Sequence, residues 1–334
     1  MISKKRNKHR TSDGGMMRIF RMDLVLTIIL VVTPIPGAAR AQNRDPAKTP
    51  VVYSVPGMTL AVVRSGVIFD KTTATPLALD AYLPRGLRKG ERRPAIVFIS
   101  GAERVRHWRW FVTWGQLAAA HGLVGIVPDK RYPRGFDGTR AGAEDTEKLL
   151  AFLQTQGDTL GVDPQRICLW TFSAGGRLTS VGLQPVGTKQ AGTPALPAAG
   201  GTRQAGMPAL SESVRCLVSF YGVLDMSSEA SSVSNEAERE TLLKRYSPVQ
   251  ALESLVASGA KPPPVFIARA GKDSAFINNG IDRFTAAALR LNVPITVINY
   301  ADGDHGFDGV NDTSQSRAVI AAALRFVQEQ TAAR

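Results

Sequence analysis

Ile167-Cys168-Leu169-Trp170-Thr171-Phe172-Ser173-Ala174-Gly175-Gly176 is an apolar run that ends abruptly in a serine flanked by small residues. An amphipathic segment follows, so the pattern reads as strand, sharp turn, helix, with Ser173 at the turn. A serine held in such a turn projects its hydroxyl out of the sheet. The first helical N–H groups, Ala174 foremost, then lie ready as donors to a developing oxyanion. Thr171 stands where the usual Gly-x-Ser-x-Gly pattern has its first glycine. A β-branched residue there should crowd the turn modestly, and Thr171→Gly is expected to preserve activity.

Working outward, apolar segments alternate with helical ones. Strands are expected at 59–64, 78–82, 95–100, 124–128, 166–170, 214–221, 265–270 and 295–300. Helices are expected at 114–121, 139–156, 175–183, 236–243, 280–291 and 313–329. Several strands are continuous Val/Ile/Leu runs, as in parallel sheets buried on both faces. The expected class is therefore α/β: a doubly wound, mostly parallel sheet of about eight strands with helices on both faces.

A serine hydroxyl needs a base, and the base needs an orienting acid. Of the four histidines, His9 lies in the N-terminal basic stretch and His121 precedes Gly122 at a helix end. His305 sits in Asp302-Gly303-Asp304-His305-Gly306-Phe307, a loop directly after the last strand. Loops at strand C-termini are where open α/β sheets build their sites. The acid is expected at Asp273, after the strand 265–270, with Asp225 as its rival. Asp302, Asp304 and Asp308 are too close in sequence to His305 to be first choices. The second oxyanion donor is expected from Gly101 or Ala102, in the loop after the strand 95–100. The stretch His107-Trp108-Arg109-Trp110-Phe111-Val112-Thr113-Trp114 follows. Trp108, Arg109 and Phe172 are the expected substrate-pocket residues, with Arg106 or Arg109 available to an anionic group. The helical spacing of Trp110 and Trp114 favours packing for those two.

The chain has 334 residues, 44% hydrophobic and 21% charged, with a net charge of +13. Residues 1–41 carry eight Lys/Arg against two Asp, and the remaining positive charge is scattered, which argues against nucleic-acid binding. That basic stretch, the apolar run 24–32 and Ala39-Arg40-Ala41 fit a secretory signal cleaved after Ala41. The run is short for a membrane span, so no stable membrane insertion is expected after cleavage; an uncleaved anchor is the alternative. Residues 42–57 read as a flexible arm and 58–334 as one domain. An insertion at 184–213 carries Gln190-Ala191-Gly192-Thr193-Pro194-Ala195-Leu196, nearly repeated at 204–210. It is expected to be a disordered loop rather than a lid. Cys168 and Cys216 are expected to be small core residues rather than a bridge, and no Cys/His spacing suggests a metal.

The chain resembles the α/β-hydrolase superfamily, in its dienelactone-hydrolase-like and esterase/prolyl-oligopeptidase-like group. The likeness covers roughly residues 58–330. It rests on Leu79-Asp80-Ala81-Tyr82-Leu83-Pro84, Val127-Pro128-Asp129-Lys130-Arg131-Tyr132, Val162-Asp163-Pro164-Gln165-Arg166-Ile167, Phe172-Ser173-Ala174-Gly175-Gly176, Phe220-Tyr221-Gly222 and Asp304-His305-Gly306-Phe307. The resemblance implies Ser173 as nucleophile, His305 as base and Asp273 as acid, with a small-molecule ester as substrate and no cofactor. Serine rather than cysteine argues against true dienelactone chemistry. A short-peptide peptidase and a catalytically silent envelope binding protein are the alternatives. Oligomeric state and acyl preference are not legible in the sequence.

Overall fold

The computed structural model describes residues 44–131, 135–184 and 213–333. The signal-like segment and nearly all of the insertion therefore lie outside the described residues. Eight strands form one sheet in the order β1-β2-β4-β3-β5-β6-β7-β8. They are β1 (Val62–Asp70), β2 (Leu77–Leu83), β3 (Arg93–Ile99), β4 (Val124–Pro128), β5 (Val162–Phe172), β6 (Val214–Phe220), β7 (Val265–Ala270) and β8 (Ile295–Tyr300). β2 runs antiparallel to both β1 and β4, and every pairing from β4 through β8 is parallel. The helices are α1 (Arg109–Ala120), α2 (Gly135–Gln156), α3 (Ser227–Ala230), α4 (Glu236–Tyr246), α5 (Pro248–Ala257), α6 (Ala275–Arg290), α7 (Phe307–Val310) and α8 (Ser314–Gln330). A 3₁₀ helix spans Ser173–Leu183. This is the α/β-hydrolase fold.

Side-chain alternation along the strands sorts the core into two layers. Ala95, Val97 and Ile99 of β3 join Ile167 and Leu169 of β5 in packing against α2, α5, α6 and the 3₁₀ helix. Ile96 and Phe98 join Cys168, Trp170 and Phe172 in packing against α1 and α8. The second layer is aromatic beneath the site: Trp114 and Trp170 have ring centroids 4.7 Å apart, and Trp170 and Phe220 5.0 Å. Such pairs add stability beyond their buried area.

Four local readings change. The first strand is Val62–Asp70, because 58–60 winds into a 3₁₀ turn. Helix α5 lies outside the expected helices: Pro248 fills its first turn, and Val249, Leu252 and Leu255 face the core. Cys168 and Cys216 form a disulfide, because β5 and β6 bring them into register with their Cα atoms 4.8 Å apart. That spacing lies within the reach of a disulfide.

The fourth change concerns the segment read as a loose arm. Val51 is buried, and the Val52 N–H donates to the Asp308 carbonyl at 2.7 Å. Helix α1 begins without a side-chain cap at Trp108. Its Arg109 and Trp110 N–H groups donate to the carbonyls of Ala47 (3.0 Å) and Pro46 (3.2 Å) instead. The arm thus supplies the acceptors that the first turn of a helix requires.

Candidate active site

All six parallel strands end at the same edge, and loops leaving them converge there. Ser173 sits between β5 and the 3₁₀ helix with φ of 53°, a left-handed conformation rare for a residue with a Cβ. Two glycines make the turn possible. A Cβ on Gly175 would lie 2.6 Å from the carbonyl oxygens of Ile99 and Ser100, and one on Gly176 would lie 2.5 Å from the Val223 nitrogen. The Val223 N–H in turn donates to the Ser173 carbonyl at 2.9 Å. Thr171, fully buried in β5 two residues earlier, places its hydroxyl 3.0 Å from that of Thr179 and donates to the Val218 carbonyl at 3.2 Å. The residue in the glycine position is stitched between strand and helix rather than merely tolerated.

The structure brings Ser173, His305 and Asp273 together. His305 Nε2 lies 2.9 Å from Ser173 Oγ, and Nδ1 lies 2.6 Å from Asp273 Oδ2. The Asp273 carboxylate is nearly buried and its other oxygen accepts from the Ser274 N–H at 2.7 Å. The Asp225 side chain is engaged elsewhere, by the Arg283 guanidinium and by the Ser227 N–H and hydroxyl. Burial alone would raise the Asp225 carboxyl, but these donors outweigh it and hold the group below its ordinary value.

The loop after β3 sorts its two oxyanion candidates. A Cβ on Gly101 would sit 3.0 Å from the Ala174 nitrogen, so the absent side chain keeps that amide approachable. The Ala102 N–H donates to Ser100 Oγ at 3.1 Å, an engagement that counts against it as an oxyanion donor. The Ala102 carbonyl accepts from Ser100 Oγ (2.6 Å) and from the Lys130 ammonium (2.9 Å). Lys130 is buried below this loop. Burial pulls its pKa down to about 7, against the opposing pull of Glu103 and Asp145.

A cavity of about 510 Å³ opens onto Ser173 and His305. Trp108 and Phe172 line it, as do Phe111 and Tyr221. Arg109 does not: it is the exposed first residue of α1. Arg106 turns inward, donating to Asp80 (2.7 Å) and Asp129 (2.9 Å), so neither predicted arginine faces the cavity. Arg44, from the docked arm, lines it instead.

Asp308, set aside in the sequence for its nearness to His305, is a fully buried carboxylate on which three donors converge. They are Trp110 Nε1 (2.7 Å), Trp114 Nε1 (3.0 Å) and Tyr221 OH (2.5 Å). Burial raises its pKa despite these hydrogen bonds. Burial, with Asp308 beside it, also raises the Tyr221 phenol well above its ordinary value. The Tyr221 ring stands 4.8 Å from that of His305. Among the described residues no group of three or more His, Cys, Asp or Glu has the arrangement of a metal site.

Fold and site together define the class: an esterase-like serine hydrolase. The chain belongs to the BD-FAE family, whose profile matches residues 79–280. Among solved structures it is similar to Est2, a thermophilic esterase of the planctomycete Thermogutta terrifontis. The native form is 22% identical over 82% of this chain and 94% of that one, with a TM-score of 0.60. The apo form of the same esterase gives 23%, 84%, 98% and 0.60. Its form phosphoramylated by tabun gives 20%, 83%, 94% and 0.58. No curated protein matches the sequence significantly.

Proposed function

We propose that the protein is an exported carboxylesterase working through a Ser173–His305–Asp273 triad. The pair of contacts at His305 carries this reading: one ring nitrogen meets the serine hydroxyl and the other a nearly buried carboxylate. With Nδ1–H donating to Asp273, the imidazole holds the tautomer whose Nε2 accepts a proton. Ser173 Oγ attacks the ester carbonyl as its proton passes to Nε2. The tetrahedral oxyanion takes hydrogen bonds from the Ala174 N–H and from the loop at Gly101. Collapse expels the alcohol, which takes the proton from Nε2 and leaves an acyl-Ser173 ester. Water, deprotonated by His305, hydrolyses that ester and regenerates the serine.

A cavity of about 510 Å³ walled by aromatic rings suits a small ester rather than a long peptide. Export is supported by the signal-like residues 1–41 and by the Cys168–Cys216 disulfide, since such bonds persist in oxidising compartments. Reaction with an alkyl fluorophosphonate tests the chemistry, as the Thermogutta esterase takes organophosphorus groups. Labelling and para-nitrophenyl ester hydrolysis that both vanish in Ser173→Ala are expected. A folded wild type that takes no label would instead mark a silent binding protein. Mass spectrometry of the exported chain is expected to find Gln42 at its N-terminus.

A further inference from the structure

The cavity beside Ser173 is lined mostly by apolar surface. Trp108, Phe111, Phe172 and Tyr221 form its walls, and among the described residues no carboxylate lines it. Among the described residues, the arginine that lines it is Arg44, which comes from the segment ahead of β1 rather than from the α/β framework. Three backbone hydrogen bonds hold this segment in place: Pro46 and Ala47 accept from the first turn of α1, and the Val52 N–H donates to Asp308. Arg44 Nη1 reaches the Gly309 carbonyl at 3.5 Å, in the same loop and helix as Gly306 of the cavity wall.

Among the described residues, the nearby acids Asp45 and Asp308 are engaged away from this charge. Asp45 turns back on its own strand of chain, accepting from the Ala47 N–H and lying near Lys48. Asp308 is buried and saturated by two indoles and a phenol. A guanidinium has five donors in a planar fork that matches a carboxylate, and one contact to a backbone carbonyl leaves most of them for a ligand.

We propose that Arg44 selects esters that carry a carboxylate remote from the scissile bond, such as monoesters of dicarboxylic acids. This rests on the reading of Ser173 as nucleophile. The aromatic walls take the body of the substrate and exclude water, while the arginine fixes its charged end. A carboxylate on the leaving alcohol is the same chemistry approached from the other side of the ester, and the test distinguishes the two.

The test compares isosteric pairs. Mono-para-nitrophenyl glutarate against para-nitrophenyl pentanoate places the charge on the acyl side; 4-acetoxybenzoate against 4-acetoxybenzamide places it on the alcohol side. In Arg44→Gln, kcat/KM for the charged member of one pair is expected to fall about tenfold, with the neutral member within about twofold. Arg44→Lys should restore part of the loss, and about 0.5 M NaCl should shrink the wild-type preference. If the charged-to-neutral ratio is the same in wild type and Arg44→Gln for both pairs, while Ser173→Ala abolishes all turnover, this inference is overturned and the esterase reading stands. If the wild type turns over neither member of either pair and takes no fluorophosphonate, both fall together.

Discussion

The Trp110 indole N–H donates to the Asp308 carboxylate at 2.7 Å, across 198 residues of sequence. This bond ties the start of α1, which carries the cavity wall, to the loop that carries His305. Gly309 lets the two approach: a Cβ there would lie 2.6 Å from the Trp110 ring. Tyr221 completes the triangle from the end of β6. The histidine loop is therefore held by three buried donors on one acceptor.

Replacing that acceptor tests the arrangement. Asp308→Asn leaves one oxygen for three donors and turns an NH₂ toward the others. A loss of about 2–4 kcal/mol of stability is expected, since each orphaned buried donor costs about 1–3 kcal/mol. The rate of fluorophosphonate labelling should also fall, because the loop that positions His305 is loosened. Urea denaturation measures the first and labelling kinetics the second. Trp110→Phe, which removes a donor without stranding one, should cost less on both counts.

Thr171 bears on stability more than on chemistry. Its hydroxyl joins Thr179 and the Val218 carbonyl, and its side chain fills buried space beneath the elbow. Thr171→Val keeps the shape and strands the Thr179 hydroxyl, at an expected cost of about 1–2 kcal/mol. Thr171→Gly loses the packing too and gains chain entropy in the unfolded state, so it should cost more. In both variants kcat at a temperature where the protein is folded should stay within about twofold. Thermal melts beside steady-state kinetics separate the two effects.

What was legible in the sequence follows from what each feature depends on. The strands from 78 onward announce themselves through apolar runs, and Ser173, Asp273 and His305 through their places after strand ends. These are local signals. The docking of residues 44–56 rests on the backbone carbonyls of Pro46 and Ala47, which leave no side-chain trace. The roles of Asp308 and Arg44 depend on partners from distant segments. The disulfide depends on the register of two parallel strands: adjacency of β5 and β6 can be inferred, but the pairing of Cys168 with Cys216 cannot. Helix α5 did carry a signal, Ser247-Pro248 followed by apolar residues at 249, 252 and 255.

Gly101→Ala isolates the proposed oxyanion donor. The new methyl would stand 3.0 Å from the Ala174 nitrogen and 3.1 Å from its Cβ. That contact is tight but not impossible, so the protein should fold with nearly unchanged melting behaviour. An oxyanion approaching the same amide would be displaced. A fall in kcat of about 10²–10³-fold is expected, the cost of losing one oxyanion-hole donor. A variant of wild-type kcat would show that the oxyanion binds elsewhere.

Lys130 predicts a pH dependence of stability. Its ammonium donates to the Ala102 carbonyl, yet burial pulls its pKa from 10.5 down to about 7. Between those values the folded protein has released a proton that the unfolded chain keeps. Raising the pH therefore favours the folded state, by at most about 1.4 kcal/mol per pH unit. The contribution is complete above the unfolded value and lost as pH falls through about 7. Lys130→Met cannot titrate, so the difference in unfolding free energy between wild type and variant should climb from pH 7 to 9.5. Urea titrations at several pH values measure it. A flat difference across that window would mean that the lysine stays protonated in the fold, held by Glu103 and Asp145 more firmly than burial opposes it.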